Sequence, residues 1–172
     1  MRYLFYITHP AKYYLFKKVI NTLKLKHTVD ILINSKDCLE QLIIEAGWDY
    51  YNLFPKGRNN ANKPSIFKSF IKFLITILKL EYFLLYNKKY NYFITDDSLV
   101  VNGWYRNVKT YIFNDNDINT IKINKILFYF AKHIICPSST DMGKFEKKKI
   151  PFIGNKALAH LTPSYFTPQS NI

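Results

Sequence analysis

The order of apolar runs in this chain predicts an α/β domain, a mostly parallel sheet covered by helices. Short, nearly continuous apolar runs alternate with longer runs of helical periodicity, and the first half reads βαβαβ with short connections. The 172 residues suffice for one domain with a sizeable core, and the 48% hydrophobic content excludes a disordered chain. Right-handed crossovers in such a sheet bring the carboxyl ends of the strands to one edge, where open sheets bind ligands.

Residues 2–7 are aromatic and apolar and predict a buried strand. Residues 11–25 carry Leu15, Phe16, Val19, Ile20 and Leu23 at helical spacing, with Lys12, Lys17, Lys18 and Lys24 on the other positions. Between them lies Thr8-His9-Pro10. Pro10 suits the first helical position, because its missing N–H would be unpaired there. Thr8 stands where a hydroxyl can cap free backbone N–H groups. His9 is then held at the mouth of the turn, beside a helix N-terminus that favours anions. There it can move a proton or donate a hydrogen bond. The plainer reading is that Thr8 and Pro10 only start a helix and His9 is solvated. The turn has no glycine, so the dinucleotide fingerprint is missing and a standard NAD site is not expected.

Residues 28–33 predict a second strand, 37–46 a second helix stopped by Gly47, and 49–54 a third strand. Residues 55–64 are a loop rich in Asn and basic side chains. Ser65 opens a long apolar helix to about Tyr86, interrupted by Lys68, Lys72 and Lys79. Its longest uncharged stretch, 73–78, is too short to span a bilayer. Packing on the sheet is the expected role. Lying in a membrane interface with lysines at the headgroups, or docking a partner, are the alternatives.

Residues 90–95 predict a fourth strand, followed by a helix to Val108 that Asp97 or Ser98 can cap. Residues 109–113 form a fifth strand, which runs into Asn114-Asp115-Asn116-Asp117. These side chains could hold a sugar hydroxyl or a cation, or cap the helix expected over 119–131. Residues 132–136 are a sixth strand closed by Pro137-Ser138-Ser139-Thr140. Hydroxyls there could contact phosphate or cap the next helix. That helix, basic and expected over 142–149, and a short strand over 150–153 complete the pattern.

The net charge of +13 ranks anionic partners without selecting one, since the lysines are dispersed. Nucleic acid ranks last among them, because no recognition module is visible. The 2 cysteines, Cys38 and Cys136, form neither a disulfide framework nor a zinc pattern, which fits a reducing compartment. No basic segment followed by a long apolar run opens the chain, so a cytoplasmic location is expected.

Three strand-end stretches together resemble a known family. Ile7-Thr8-His9-Pro10-Ala11, with Phe16 beyond, matches its opening motif. Phe113-Asn114-Asp115 matches its central motif. Gly154, Leu158, Ala159, Leu161, Pro163, Phe166 and Pro168 match its interdomain motif. The family is the one catalogued as domain of unknown function 354, similar to glycosyltransferases of the two-domain B fold (GT-B) and to UDP-N-acetylglucosamine 2-epimerases. The chain departs from it at Tyr6, at Asn116 to Ile118 and at Ala157, where the family carries acids or a histidine.

The resemblance implies a Rossmann-like three-layer sandwich over residues 1–163, the N-terminal acceptor-side domain of a GT-B fold. Residues 164–172 would be a tail or interdomain linker, with the C-terminal donor domain absent. It implies a glycosyltransferase of surface polysaccharide synthesis, inactive as this chain alone. The alternatives are half of a sugar-nucleotide epimerase, a truncated non-enzymatic remnant, or a subunit completed by a second polypeptide. His9 would be the catalytic base or a hydrogen-bond donor to the acceptor. Thr8, Asn114, Asp115 and Asp117 would bind substrate, Asp115 by orienting a hydroxyl, and Ser138 with Lys156 would approach phosphate. No cofactor or metal is expected. The partners would be a nucleotide-sugar donor, a sugar or lipid-linked acceptor, and an anionic membrane touched peripherally from the cytoplasmic side.

Overall fold

The computed structural model describes residues 1–57, 66–87, 89–119 and 125–154. The strands are β1 (Arg2–Ile7), β2 (Thr28–Asn34), β3 (Tyr51–Phe54), β4 (Tyr92–Thr95), β5 (Lys109–Phe113), β6 (His133–Pro137) and β7 (Lys149–Phe152). The helices are α1 (Pro10–Lys24), α2 (Leu39–Glu45), α3 (Ile66–Leu85), α4 (Leu99–Tyr105) and α5 (Lys125–Phe130). The strands form one sheet in the order β3-β2-β1-β4-β5-β6-β7, and every neighbouring pair is parallel. This is the expected α/β, Rossmann-like architecture.

The alternation of side chains along the strands builds the three layers. Phe5 and Ile7 of β1 face one way and pack with Phe16 and Ile20 of α1 and Ile43 of α2. Leu4 and Tyr6 face the other way and pack with Leu80 and Leu84 of α3 and Leu99 of α4. Central parallel strands are covered on both faces, which is why β1 reads as an unbroken apolar run. Each such side chain, once buried, contributes about 1.5–3 kcal/mol. Beyond β4, Ile112, Leu127, Phe128 and Ile134 make a further core with the segment after β6.

Several expected elements are shorter or different. The helix expected over 142–149 is a 3-10 helix, Gly143–Lys148. Positive φ at Gly143 and the pairing of Lys149 into β7 confine it to one tight stretch. Helix α5 is described over Lys125–Phe130, within the helix expected over 119–131. The residues before it, 120–124, lie outside the described ones, as do 58–64 of the loop expected over 55–64, Ser65 at the expected start of the long helix, and everything from 155 onward, including Lys156, the interdomain motif beyond Gly154 and the tail.

Helix α4 lies unusually close to the sheet at Gly103. A Cβ there would collide with Thr110 Cγ2 and stand 2.9 Å from Phe93 Cδ2. Gly103→Ala is therefore expected to destabilise the fold by about 1–3 kcal/mol, the usual cost of forcing extra volume into a packed core. Urea denaturation checks this; a stability equal to wild type would show that α4 can move off the sheet.

Candidate functional site

The strand order reverses between β1 and β4. From β1 the chain crosses outward to β2 and β3, and then returns past β1 to β4. At such a switch point the flanking connections diverge to opposite faces and leave a crevice at the carboxyl ends of the strands. The pairing Tyr6↔Thr95 sets the register, so the residues just beyond, Thr8 and Asp96, come out side by side.

Thr8 does not cap α1. Its hydroxyl donates to Asp96, at 3.1 Å to Oδ1 and 3.3 Å to Oδ2. The N-cap is His9, whose Nδ1 accepts the Ala11 N–H at 3.1 Å. Pro10 takes the first helical position as expected. A neutral imidazole that accepts at Nδ1 carries its proton on Nε2. His9 is exposed, so the ring lies at the mouth of the crevice in the tautomer that donates from Nε2.

Lys12 lies on the expected polar positions of α1, yet it is 7% exposed. It sits in the first turn, on the side facing the sheet edge, close enough for its charge to act on Asp96. Burial raises the Asp96 carboxyl above its ordinary range. The Lys12 charge opposes that rise, Asp97 adds to it, and the Thr8 hydrogen bond opposes it. The carboxyl held up by burial thus accepts from Thr8, the residue directly before His9. Sequence reasoning singles out neither Asp96 nor Lys12 as a site residue. For Asp96 the one signal is its place directly after a strand.

At the start of α4, Ser98 stands at the N-cap without a side-chain hydrogen bond. Thr95 Oγ1 accepts the Asp97 N–H at 2.9 Å, and Asp97 Oδ1 accepts the Ser98 N–H at 2.6 Å. Of the two expected caps, Asp97 takes a helix-start N–H.

Further along the same edge, Asn114 is buried. Its amide donates to Asn116 O at 2.6 Å and to Met142 Sδ at 3.3 Å. Asp117 Oδ1 accepts the Asp141 N–H at 2.8 Å, and so ties the loop after β5 to the segment after β6. Asp115 is partly buried beside Asn114, and Asn116 donates to its Oδ1 at 3.4 Å. Ser138 is exposed at the end of β6, with its backbone N–H on Phe152 O at 2.9 Å. The edge thus holds two sets. Thr8, His9, Lys12 and Asp96 gather at the switch point, and Asn114, Asp115 and Asp117 brace the loops beyond β5. Among the described residues, no group of three or more His, Cys, Asp or Glu is placed to hold a metal ion.

No family model and no curated protein matches this chain. Solved structures do. The Staphylococcus aureus MnaA–UDP structure aligns over 96% of this chain at TM-score 0.66 and 10% identity, and covers 48% of its own length. The Neisseria meningitidis UDP-GlcNAc 2-epimerase bound to UDP-GlcNAc aligns over 92% at 0.66 and 14% identity, 48% of its length. The spinosyn rhamnosyltransferase SpnG with thymidine diphosphate aligns over 90% at 0.55 and 13% identity, 49% of its length. At such identities the likeness is one of fold. The chain spans about half the length of these structures.

The geometry makes two outcomes testable. His9→Ala removes the cap of α1 and is expected to cost about 0.5–2 kcal/mol, whereas His9→Asn keeps a capping oxygen and a donor and stays near wild type. Thermal denaturation of both variants checks this, and equal losses would contradict it. Asp96, with a folded-state pKa raised above its unfolded value, favours the folded state below the ordinary carboxyl range near pH 4. That contribution fades as pH rises through the raised value. The stability of wild type relative to Asp96→Asn should therefore fall from acid toward neutral pH. A difference independent of pH would contradict the assignment.

Proposed function

We propose that this chain is the acceptor-side half of a glycosyltransferase of the two-domain B type, within the family it resembles, acting in surface polysaccharide synthesis. The observation that carries the reading is the convergence of Thr8, His9 and Asp96 on the switch point of a sheet whose fold is shared with nucleotide-bound and nucleotide-sugar-bound structures. Sugar transfer forms a bond between an acceptor hydroxyl oxygen and the anomeric carbon, breaks the bond from that carbon to the diphosphate, and requires the hydroxyl proton to leave.

His9 lies where an acceptor hydroxyl would enter. In the capped tautomer its Nε2–H donates to the acceptor oxygen and orients it. Service as the base would require the ring proton to move to Nδ1 and the cap to open. Asp96, steadied by Thr8, stands behind it as a carboxyl able to hold the released proton. Asp115 orients a sugar hydroxyl, and Ser138 and Lys156 approach phosphate. A second half, from the same polypeptide or another, supplies the opposite wall of the cleft; without it water is not excluded and both reactants are not positioned. The chain alone is then inactive.

The epimerase reading is the second, favoured by the fold likeness to the UDP-GlcNAc 2-epimerase. Product analysis separates the two. The whole protein should transfer sugar from a nucleotide-sugar only when an acceptor is present, and His9→Ala should lower kcat by about 10²–10⁴. Acceptor-independent conversion of UDP-GlcNAc would select the epimerase, and full turnover by His9→Ala would remove His9 from the chemistry.

A further inference from the structure

Helix α3 packs on the sheet with one face, where Thr76 and Leu80 are fully buried and Leu84 nearly so. The expected packing role is therefore met by that face alone. Its opposite face is at least as apolar. Phe67, Phe70, Leu74, Leu78, Tyr82 and Leu85 all lie outward, with Leu78 67% and Tyr82 66% exposed. At 100° per residue these six fall in one continuous stripe. A shallow cavity runs beside it between α3 and β3, walled by Leu78, Tyr82, Tyr86 and Tyr51. Water-facing apolar rows of this extent mark an interaction surface.

The charge around the row indicates what covers it. Lys68, Lys72 and Lys79 fall within about 40° of arc along one margin. Lys79 bends to the Leu53 carbonyl at 3.1 Å, while Lys68 lies exposed and Lys72 partly so. Toward the other edge, between the directions of Phe70 and Leu74, Glu81 is held by Arg106, which lowers its pKa, and by Tyr105. The α4 side chains Trp104 and Tyr105 are also exposed. The surface is thus an apolar stripe with lysines along one side and aromatic rings with a polar tip along the other, on a chain of net charge +13. A second copy would bring another +13 against it. An anionic lipid surface satisfies both parts: the stripe enters the acyl boundary and the lysines reach the headgroups. No helix among the described residues is long and apolar enough to cross a membrane, so α3 would lie in the plane of the interface.

We propose that the outer face of α3 docks this protein on an anionic membrane, an inference independent of the reaction assigned to the crevice. The full chain is sedimented at low salt with vesicles of phosphatidylcholine, or of equal parts phosphatidylcholine and phosphatidylglycerol. The chain should pellet with the anionic vesicles and stay in solution with the zwitterionic ones. Leu78→Glu with Tyr82→Glu, and separately Lys68→Glu with Lys72→Glu, should each weaken binding about tenfold or more. Leu25→Glu, which changes an exposed leucine at the end of α1, should bind like wild type. Circular dichroism confirms that the variants fold. Failure to pellet with anionic vesicles, or undiminished binding by both double variants, would overturn the proposal. So would a wild-type dimer that Leu78→Glu with Tyr82→Glu converts to monomer, since a second copy would then be the occupant.

Discussion

The parallel pairing of β1 with β4 is the contact on which the rest of this structure depends. It joins residues 2–7 to residues 92–95 across more than half the sequence, in the register Tyr3↔Tyr92 to Tyr6↔Thr95. Every other strand is placed by it. β2 and β3 extend the sheet on one side and β5 to β7 on the other. Because the direction of travel reverses there, right-handed crossovers send α1 and α2 to one face and α3 to α5 to the other. The crevice at the strand ends results from that divergence and needs no special sequence of its own. What the sequence adds is the set of side chains that surface in it.

Those side chains show how a long-range contact redirects local preferences. Thr8 is a good capping residue by type, and the turn it sits in needs a cap. Asp96, 88 positions away, takes its hydroxyl instead. The cap then falls to His9, which fixes the ring tautomer as a consequence. Lys12 is drawn in likewise. Its place on the helical wheel is polar, yet it is buried, and its charge acts on the Asp96 carboxyl at the sheet edge. The positions of all seven strands could be read from apolar runs and turn residues, because a parallel sheet covered on both faces imposes an unbroken apolar pattern. The Thr8–Asp96 pairing and the burial of Lys12 could not, because neither leaves a periodic trace. Asn114 illustrates the opposite limit. Its type and place at a strand end suit a ligand site, but the structure turns its amide inward onto Met142, and its neighbour Asp117 ties one loop to another.

The long helix α3 combines two demands in one segment. Its inward face completes the core under β1 and β4, while its outward face carries a second apolar row beside lysines. A pattern apolar on nearly all sides could be read from the sequence as a packed helix or an interfacial one; the structure shows packing to occupy only one side. The helix and the switch-point edge are fastened to the same sheet, so anything that seats the outer face of α3 also orients the crevice.

If the edge where Thr8, His9 and Asp96 meet is the chemical site, a sugar must sit against it during the reaction. The most direct measurement is a crystal structure of the whole protein with a nucleotide-sugar bound. The sugar ring is expected at that edge, with a hydroxyl or the anomeric centre within about 3.2 Å of His9 or Asp96, or one water removed. A sugar ring seated elsewhere, with His9 and Asp96 facing bulk water, would contradict that assignment.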